Sequence, residues 1–254
     1  MNWLWKRKST FTQQPLESLP SLLTELGVDL VLLGGDFTSS SLPEEFAAAQ
    51  QFVSQIRQPW IAIPGNHDNY TKRAFRTRRY YDYFSNPTGS TLRDFGIEIH
   101  PLIAPWTLIA LDTTLATPPT SSVGYISKEL EILLEDALKD LPASTSILLF
   151  NHYPFFQNDT PSHNLQRGEA LEQLLRRHFP RIRLYLQGHS HRHTIADLQN
   201  SGLPIVLDSG CIAMGDQATW NLIDLQTDCC QVTGYLWKER WEPFRMETIP
   251  WKQK

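Results

Sequence analysis

The pattern of apolar and polar positions predicts helices that alternate with strands in the first part of the chain. Apolar residues recur at helical spacing over 15–26 and 43–57, and a short apolar run, 28–33 or 60–64, follows each helix. Runs that are apolar almost throughout are typical of strands buried on both faces, as in parallel sheets. We therefore expect an α/β fold in which helices flank parallel strands.

Further elements are predicted from the same patterns along the rest of the chain. Helices are expected at 127–141 and 166–178. Strands are expected at 97–100, 106–111, 145–150, 181–187, 205–208, 220–225 and 230–237, and the tail 238–254 is expected to cover a sheet edge. Neither a repeat nor a low-complexity tract interrupts the chain, so we expect a single domain over residues 1–254.

The turn Gly65-Asn66-His67-Asp68 places an amide, an imidazole and a carboxylate directly after a strand that is predicted to be buried. Gly65 allows the chain to turn sharply there. Each polar tip would need a partner in an apolar core, whereas a metal ion or a phosphate ester would use all of them. The alternative is an Asn- and Asp-rich turn that only reverses the chain.

Three other apolar runs also end in residues of the metal-ligand type. These residues are Asp36, Asn151, His152, His189 and His191. Ligands of α/β sheets bind outside the carboxyl ends of the strands, so side chains at these positions can meet. Asp, Asn and His together suit a divalent ion of borderline softness, such as manganese, iron or zinc.

These polar clusters together resemble the motifs of the calcineurin-like metallophosphoesterase family. The motifs are Gly35-Asp36, Gly65-Asn66-His67-Asp68, Asn151-His152 and Gly188-His189-Ser190-His191, and their order and spacing match the family over most of the chain. The resemblance implies a calcineurin-like four-layer sandwich, in which α-helices flank two mixed β-sheets. It also implies a hydrolase of phosphodiester or pyrophosphate bonds with two divalent ions, Mn²⁺ first, and Mg²⁺, Fe²⁺ or Zn²⁺ as alternatives.

The resemblance gives each metal-ligand candidate a position in this two-ion site. Asp36 would bridge the two ions, Asn66, His152 and His189 would complete one metal site, and His191 would belong to the other. In the family, a metal-activated hydroxide attacks the phosphorus. Two ions can acidify a water and neutralise phosphate oxygens, so no Ser or Cys nucleophile is needed.

The resemblance also implies two catalytic residues in the turn after the second predicted strand. His67 is not a metal ligand in the family pattern, and it would stabilise or protonate the leaving oxygen. A histidine that acts as a general acid contributes about 10²–10⁴-fold to a rate. Asp68 would orient His67.

The opening motif of the family, a strand that ends in Asp-x-His, is missing before Asp36. No Asp or His precedes Asp29, and residues 2–8 resemble the stretch that follows this motif in some bacterial members. We therefore expect the chain as given to be N-terminally truncated relative to the family, with only Asp36 and His191 left to hold one of the two metals. The alternative is a degenerate, non-catalytic binding protein with the same fold.

The stretch 70–84 mixes five basic residues with six aromatic ones directly after the polar turn. Guanidinium groups suit phosphate and aromatic rings suit a lipid interface, so Arg76 and Arg79 are the substrate-binding candidates. With the Asn-Trp-Leu start, this stretch resembles family members of the chlamydial type that hydrolyse UDP-2,3-diacylglucosamine to lipid X and UMP in lipid A synthesis. The alternatives are a nucleotide or cyclic-nucleotide phosphodiesterase and, for the stretch itself, a solvated helix face.

Composition narrows the partners and the compartment. The formal net charge of −4 gives no reason to expect nucleic acid as a partner. The three cysteines, two of them adjacent, predict free thiols in a reducing compartment. Because neither a signal peptide nor an apolar run of about 20 residues is visible, we expect a cytoplasmic protein, with peripheral contact to the inner membrane as the alternative.

Overall fold

The computed structural model describes residues 13–86, 91–118, 120–156 and 160–252, so the N-terminal run at 2–8 lies outside the described residues. The helices are α1 (Gln14–Glu25), α2 (Pro43–Val53), α3 (Lys72–Thr77), α4 (Tyr80–Tyr83), α5 (Thr91–Phe95), α6 (Lys128–Asp140) and α7 (Gly168–Arg177). The strands are β1 (Val31–Leu33), β2 (Trp60–Ala62), β3 (Ile97–Pro101), β4 (Trp106–Leu111), β5 (Gly124–Tyr125), β6 (Ser146–Phe150), β7 (Leu165–Gln166), β8 (Ile182–Gln187), β9 (His193–Asp197), β10 (Ile205–Ser209), β11 (Thr219–Leu225), β12 (Cys229–Lys238) and β13 (Arg240–Pro250).

The largest sheet has six strands in the order β3-β4-β6-β8-β10-β9. Its inner strands β4, β6, β8 and β10 are parallel, and the edge strands β3 and β9 are antiparallel to their neighbours. β1 and β2 form a parallel pair, as predicted, while β11, β12 and β13 form an antiparallel sheet. The second mixed sheet of the prediction is therefore divided, in the described part of the chain, into a two-stranded and a three-stranded sheet.

Two cores cover the two faces of the six-stranded sheet. On one face, Leu149 and Tyr185 pack with Leu134 of α6 and Leu174 of α7. Ser127 begins α6, because its Oγ accepts the Leu130 N–H at 3.0 Å. Leucines at helical spacing then turn one side of α6 towards the sheet.

The other face of the six-stranded sheet packs on the smaller sheets. Leu148 and Leu186 meet Ile61 of β2 and Val232 of β12 in one cluster. Beyond these sheets, Leu19 of α1 packs on the aromatic residues of β11–β13, and α2 packs on β2. The layers are therefore helix, sheet, sheet and helix, which confirms the predicted four-layer sandwich flanked by helices.

The stretch 70–84 is not the single basic and aromatic helix that its composition suggested. It forms the short helices α3 and α4, which are separated at Arg78 by a left-handed residue with a φ of 51°. Tyr80 and Phe84 are buried and pack on Phe37, and Phe84 also packs on Phe46 of α2. These aromatic side chains thus belong to the core, because Tyr80 at the start of α4 and Phe84 directly after it are four residues apart and face the same side.

Candidate metal centre

Two turns cross at van der Waals contact at the carboxyl ends of β1 and β2. A Cβ atom on Gly35 would lie 2.5 Å from the Gly65 nitrogen, and one on Gly65 would lie 2.1 Å from Asp36 Oδ1. Gly35 also has a φ of 94°, in the left-handed half of the conformational map, which glycine adopts without steric cost. The two glycines therefore allow a close approach that brings Asp36 beside the turn carrying Asn66 and His67.

The buried Asp68 carboxylate ties these two turns together. Its Oδ2 accepts the main-chain N–H groups of Asp36 at 2.8 Å and Gly65 at 2.9 Å. Its Oδ1 accepts the N–H and the hydroxyl of Thr38 at 3.0 and 3.2 Å. The prediction that Asp68 orients the His67 side chain is wrong, because the carboxylate bonds the turns instead. In place of the predicted catalytic role, Asp68 has a structural one, because it holds the two turns of the site together.

His67 is held by the loop that follows β1. Its Nδ1 donates to the Ser39 carbonyl oxygen at 3.0 Å, since a carbonyl can only accept. Its own carbonyl oxygen accepts the Ser41 hydroxyl at 2.8 Å. The ring stacks on Tyr70, with 5.7 Å between centroids and 10° between planes. Nδ1 therefore carries a proton, and His67 lines the cavity described below.

Four side chains that follow four different strands lie next to one another, those of Asp36, Asn66, His152 and His189. Asn66 Oδ1 lies 2.9 Å from His189 Nδ1 and 3.2 Å from His152 Nε2. His152 Nε2 lies 3.6 Å from Asp36 Oδ2. Two ligands at about 2.1 Å from a shared ion are themselves about 3.0–3.4 Å apart, which is close to these separations. The structure therefore brings together the four residues that were predicted to share one ion.

In both His152 and His189, the ring nitrogen that faces away from Asn66 makes a hydrogen bond that fixes the orientation of the ring. His152 Nδ1 donates to the Gly34 carbonyl oxygen at 2.7 Å, and His189 Nε2 donates to the His163 carbonyl oxygen at 2.9 Å. His152 Nε2 and His189 Nδ1 are thus left with lone pairs that face Asn66. Burial, followed by the neighbouring His152, lowers the pKa of His189 to about 3, so its imidazole is neutral.

The surroundings shift the pKa values of the two nearby carboxyl groups in opposite directions. Burial opposes the ionisation of Asp36, but the rings of His152, His67 and His189 and the main-chain N–H of His67 together outweigh it and lower the pKa of Asp36. Burial and the charge of Asp36 raise the pKa of Asp68 to about 8, against the main-chain N–H groups that favour its ionised form. Of the two groups, Asp36 is the one whose ionised form the site favours.

The donor set fits one divalent ion of borderline softness. It offers a carboxylate oxygen from Asp36, an amide oxygen from Asn66 and the imidazole nitrogens of His152 and His189, which suit manganese, iron or zinc. Over the ranges that the structure covers, no three His, Cys, Asp or Glu side chains are grouped so that they could hold an ion by themselves. The Asn66 oxygen lies between the two histidines and would complete the set.

The remaining predicted site residues lie around this centre. His191 is exposed and lines the same cavity as Asp36, His152 and His189. Arg79 donates from Nη1 to the Ser41 carbonyl oxygen at 2.8 Å, which gives it a structural contact beside His67, and its contact with phosphate stays a prediction. Arg76 is exposed on α3, and its role as a substrate ligand stays a prediction.

His163 was not among the predicted site residues. It ends the short 3-10 turn Pro161–His163, and its ring centroid lies 6.1 Å from that of His189, at 81° between planes. Its carbonyl oxygen fixes the His189 ring, as described above. A polar loop with no strand pattern gives no sequence signal for this contact, because it depends on how the loop folds over β8.

The centre opens into a cavity of about 1880 Å³. Asp36, His67 and His152 line one end, and from there the cavity runs between β1 and β11 over apolar residues of the six-stranded sheet. Within the described ranges, β1 pairs with β2 alone, so its other edge borders this space. The same part of the chain contains no helix long and apolar enough to cross a membrane.

Comparisons with known proteins agree with this arrangement. A family model described as calcineurin-like phosphoesterase matches residues 12–193. A probable glycerophosphodiester phosphodiesterase, GpdQ, from Arcobacter nitrofigilis is 33% identical over 172 residues, which are 65% of this chain and 57% of the relative. A probable cyclic nucleotide phosphodiesterase from Synechococcus is 27% identical over 213 residues, which are 81% of this chain and 75% of the relative.

A solved structure supports the fold. The chain is similar to a dimetal phosphatase from Danio rerio, with a TM-score of 0.73 and 14% identity over 93% of this chain and 88% of the other. At that identity the likeness concerns the fold alone. The chain also spans little more than half of the length of the GpdQ relative, 57%.

Proposed function

The chain belongs to the calcineurin-like phosphoesterase family, and on that premise we propose that it is a metal-dependent hydrolase of small phosphodiesters. The observation that carries the proposal is the convergence of Asp36 Oδ2, Asn66 Oδ1, His152 Nε2 and His189 Nδ1 from four strand ends. A packed core has no use for four such atoms at one point, because each of them would need its own hydrogen-bond partner.

The four donors would hold a divalent ion, with Mn²⁺ as our first choice. Bound ions supply positive charge to phosphate oxygens and lower the pKa of an attacking water. Asp36 brings the one negative charge of the set, and the main-chain carbonyl contacts of His152 and His189 keep their lone pairs aimed at the ion. A second ion would use Asp36 and His191, and we expect it to bind more weakly because two protein ligands hold an ion less firmly than four.

His67 would act on the leaving group. With Nδ1 bonded to the Ser39 carbonyl oxygen, a proton held at Nε2 can pass to the oxygen that departs from phosphorus. The Tyr70 ring and the Ser41 hydroxyl limit the movement of His67, so the orientation of Nε2 is set before a substrate binds.

The preferred substrate would be a small diester, such as a glycerophosphodiester or a cyclic nucleotide. Two relatives carry those activities in their names, which supports this class over an acylated sugar nucleotide. The side chains predicted to hold a lipid also have other uses in this structure, since Tyr80 and Phe84 are in the core and Arg79 bonds Ser41. We therefore expect UDP-2,3-diacylglucosamine to be a poor substrate.

The test is a hydrolysis assay on the chain after removal of metal and reloading with Mn²⁺. Glycerophosphocholine, cyclic AMP, bis(p-nitrophenyl) phosphate and UDP-2,3-diacylglucosamine would be compared at equal concentration, with detergent present throughout. We expect Mn²⁺-dependent cleavage of the small diesters, and loss of that cleavage in Asn66→Ala and His152→Ala.

Two outcomes would contradict the proposal. A chain that binds Mn²⁺ tightly at the four donors but cleaves none of these compounds would be the non-catalytic binding protein that the sequence left open. A chain that hydrolyses UDP-2,3-diacylglucosamine in preference to every small diester would overturn the substrate class and keep the metal site.

A further inference from the structure

We propose that Asp208 is a positioning residue that holds the turn carrying His189 and His191 in its metal-binding conformation. Asp208 lies near the end of β10, is fully buried and was not predicted as part of the site. The inference rests on the proposed function, because it assigns a third strand of the six-stranded sheet, after β6 and β8, to the same metal centre.

The turn after β8 is strained at both histidines. His189 has a φ of 68° and His191 one of 56°, and both angles lie in the left-handed region. A non-glycine residue in that region costs about 1–2 kcal/mol, so two in three residues need support from their surroundings. Ser190 lies between the two histidines, and a hydrogen bond from its side chain stabilises the turn.

The bond that stabilises the turn is a hydrogen bond from Ser190 to Asp208. Ser190 Oγ donates to Asp208 Oδ2 at 2.7 Å and accepts the N–H of Arg192 at 3.1 Å. Asp208 Oδ2 also lies 3.5 Å from Gln187 Nε2, at the last residue of β8. Asp208 therefore contacts the turn at Ser190 and the strand residue that precedes the turn.

Position 208 requires a carboxylate, because two of its neighbours each need an acceptor oxygen. Ser190 Oγ already accepts from Arg192, so its own proton must go to an acceptor, and Asp208 Oδ2 provides one. The other oxygen, Asp208 Oδ1, accepts the N–H of Gly210 at 2.9 Å. An Asn side chain has a single acceptor oxygen. Asn at this position could therefore accept from Ser190 Oγ or from the Gly210 N–H, but not from both.

The direct test measures Mn²⁺ binding to the metal-free chain by calorimetry. We expect Asp208→Ala to weaken binding by about 10–100-fold, the range found when a residue that supports a metal ligand is removed. The matched control is Asp197→Ala. Asp197 also ends a strand and accepts an N–H two residues ahead, from Gln199 at 3.0 Å, but it lies away from the turn. We expect the control to bind Mn²⁺ like the unchanged chain.

A second set of variants isolates the Ser190–Asp208 bond from any general loss of stability. Ser190→Ala should weaken Mn²⁺ binding in the same direction, and Ser190→Thr, which keeps a hydroxyl, should restore it. The double variant with Ala at both positions should be no weaker than Asp208→Ala, because the bond can be lost only once. If Asp208→Ala does not fold, Ser190→Ala and Ser190→Thr test the same bond.

The outcomes separate this inference from the proposed function. Wild-type affinity in Asp208→Ala and Ser190→Ala would overturn the positioning role and leave the metal site intact. Fully additive losses in the double variant would also overturn it, because Asp208 would then act through something other than Ser190. No Mn²⁺ binding by the unchanged chain would overturn the metal site itself and this inference with it.

Discussion

The two sides of the proposed site are held in place by different means. His152 and His189 follow β6 and β8, which are inner strands with a neighbour on each side. Asp36 and Asn66 follow β1 and β2, which pair with each other alone in the part of the chain that the structure describes. The residues of β1 are half-buried, whereas most residues of β6 are buried.

This difference shows how a small sheet can still place two ligands. The six-stranded sheet fixes its histidines through strand pairing and main-chain carbonyl groups. The β1–β2 side relies on the Asp68 carboxylate and on the contact between Gly35 and Gly65. Small changes in these turns should therefore disturb the centre more than equally small changes far from it.

The largest effect that we expect from a substitution near these turns concerns catalysis. His67→Ala should lower kcat by about 10²–10⁴-fold, because it removes the proposed proton donor. Mn²⁺ affinity should stay unchanged, since His67 is not one of the four donors. The measurement is steady-state kinetics on bis(p-nitrophenyl) phosphate together with Mn²⁺ calorimetry. The control is His178→Ala, at the end of α7, which should change neither quantity.

A loss of metal affinity in His67→Ala would assign the ring to the ion. The proposed role at the leaving oxygen would then be wrong.

A smaller effect is expected from the crossing of the two turns. Gly65→Ala would place a Cβ atom 2.1 Å from Asp36 Oδ1, so Asp36 must move. We expect this overpacking to lower the free energy of unfolding by about 1–3 kcal/mol. Mn²⁺ affinity should fall as well, since the displaced oxygen belongs to a ligand.

The control for this prediction is Gly202→Ala. Gly202 has a φ of 68° but no atom within 4 Å of the added methyl group. We expect a similar cost in unfolding free energy, about 1 kcal/mol, with Mn²⁺ affinity unchanged. Equal losses of affinity in both variants would mean that stability alone, and not the position of Asp36, controls binding.

The comparison between the two sheets can be measured without changing the sequence. Val31 and Leu33 bond β2, so the Leu32 N–H points to the other edge of β1, towards the cavity. Leu149 lies on β6 between β4 and β8. We expect the Leu32 amide to exchange with solvent at least about tenfold faster than the Leu149 amide, as local openings allow. Equal protection would show that the β1 edge is covered in solution.

The smallest effect concerns the two arginines. Arg79→Ala removes the donor to the Ser41 carbonyl oxygen and should cost about 1 kcal/mol of unfolding free energy. It should also lower kcat by the same factor for glycerophosphocholine and UDP-2,3-diacylglucosamine, because Ser41 holds His67. Because we propose a small diester as the substrate, we expect Arg76→Ala to change neither quantity. A fall in kcat that is confined to UDP-2,3-diacylglucosamine, in either variant, would support the predicted binding of that substrate by these arginines.

Features that depend on short stretches of sequence could be predicted. The alternation of helices and apolar runs predicted the β1–β2 pairing. The four-layer sandwich and the shared site of Asp36, Asn66, His152 and His189 were expected because short polar motifs after the apolar runs resemble those of the family. Each of these patterns lies within about ten residues. The tail 238–254 was predicted to cover a sheet edge, and its residues Arg240–Pro250 form β13 at the edge of the three-stranded sheet.

Features that depend on distant contacts could not be predicted. Asp68 bonds Asp36 across 32 positions, and Arg79 bonds Ser41 across 38, so neither use is visible in the local pattern. The mixture of Arg and aromatic residues over 70–84 suggested a binding face, but the fold turns Tyr80 and Phe84 into the core. Composition alone cannot distinguish a ligand-binding aromatic from a buried one, because both need the same side chains.

The central claim is that four side chains from both halves of the molecule hold one ion. The most direct test is a crystal structure of the chain soaked in Mn²⁺, with anomalous diffraction data. We expect the strongest anomalous peak at about 2.0–2.3 Å from Asp36 Oδ2, Asn66 Oδ1, His152 Nε2 and His189 Nδ1. A strongest peak elsewhere on the chain, or no peak at these four atoms at a saturating concentration, would contradict the account.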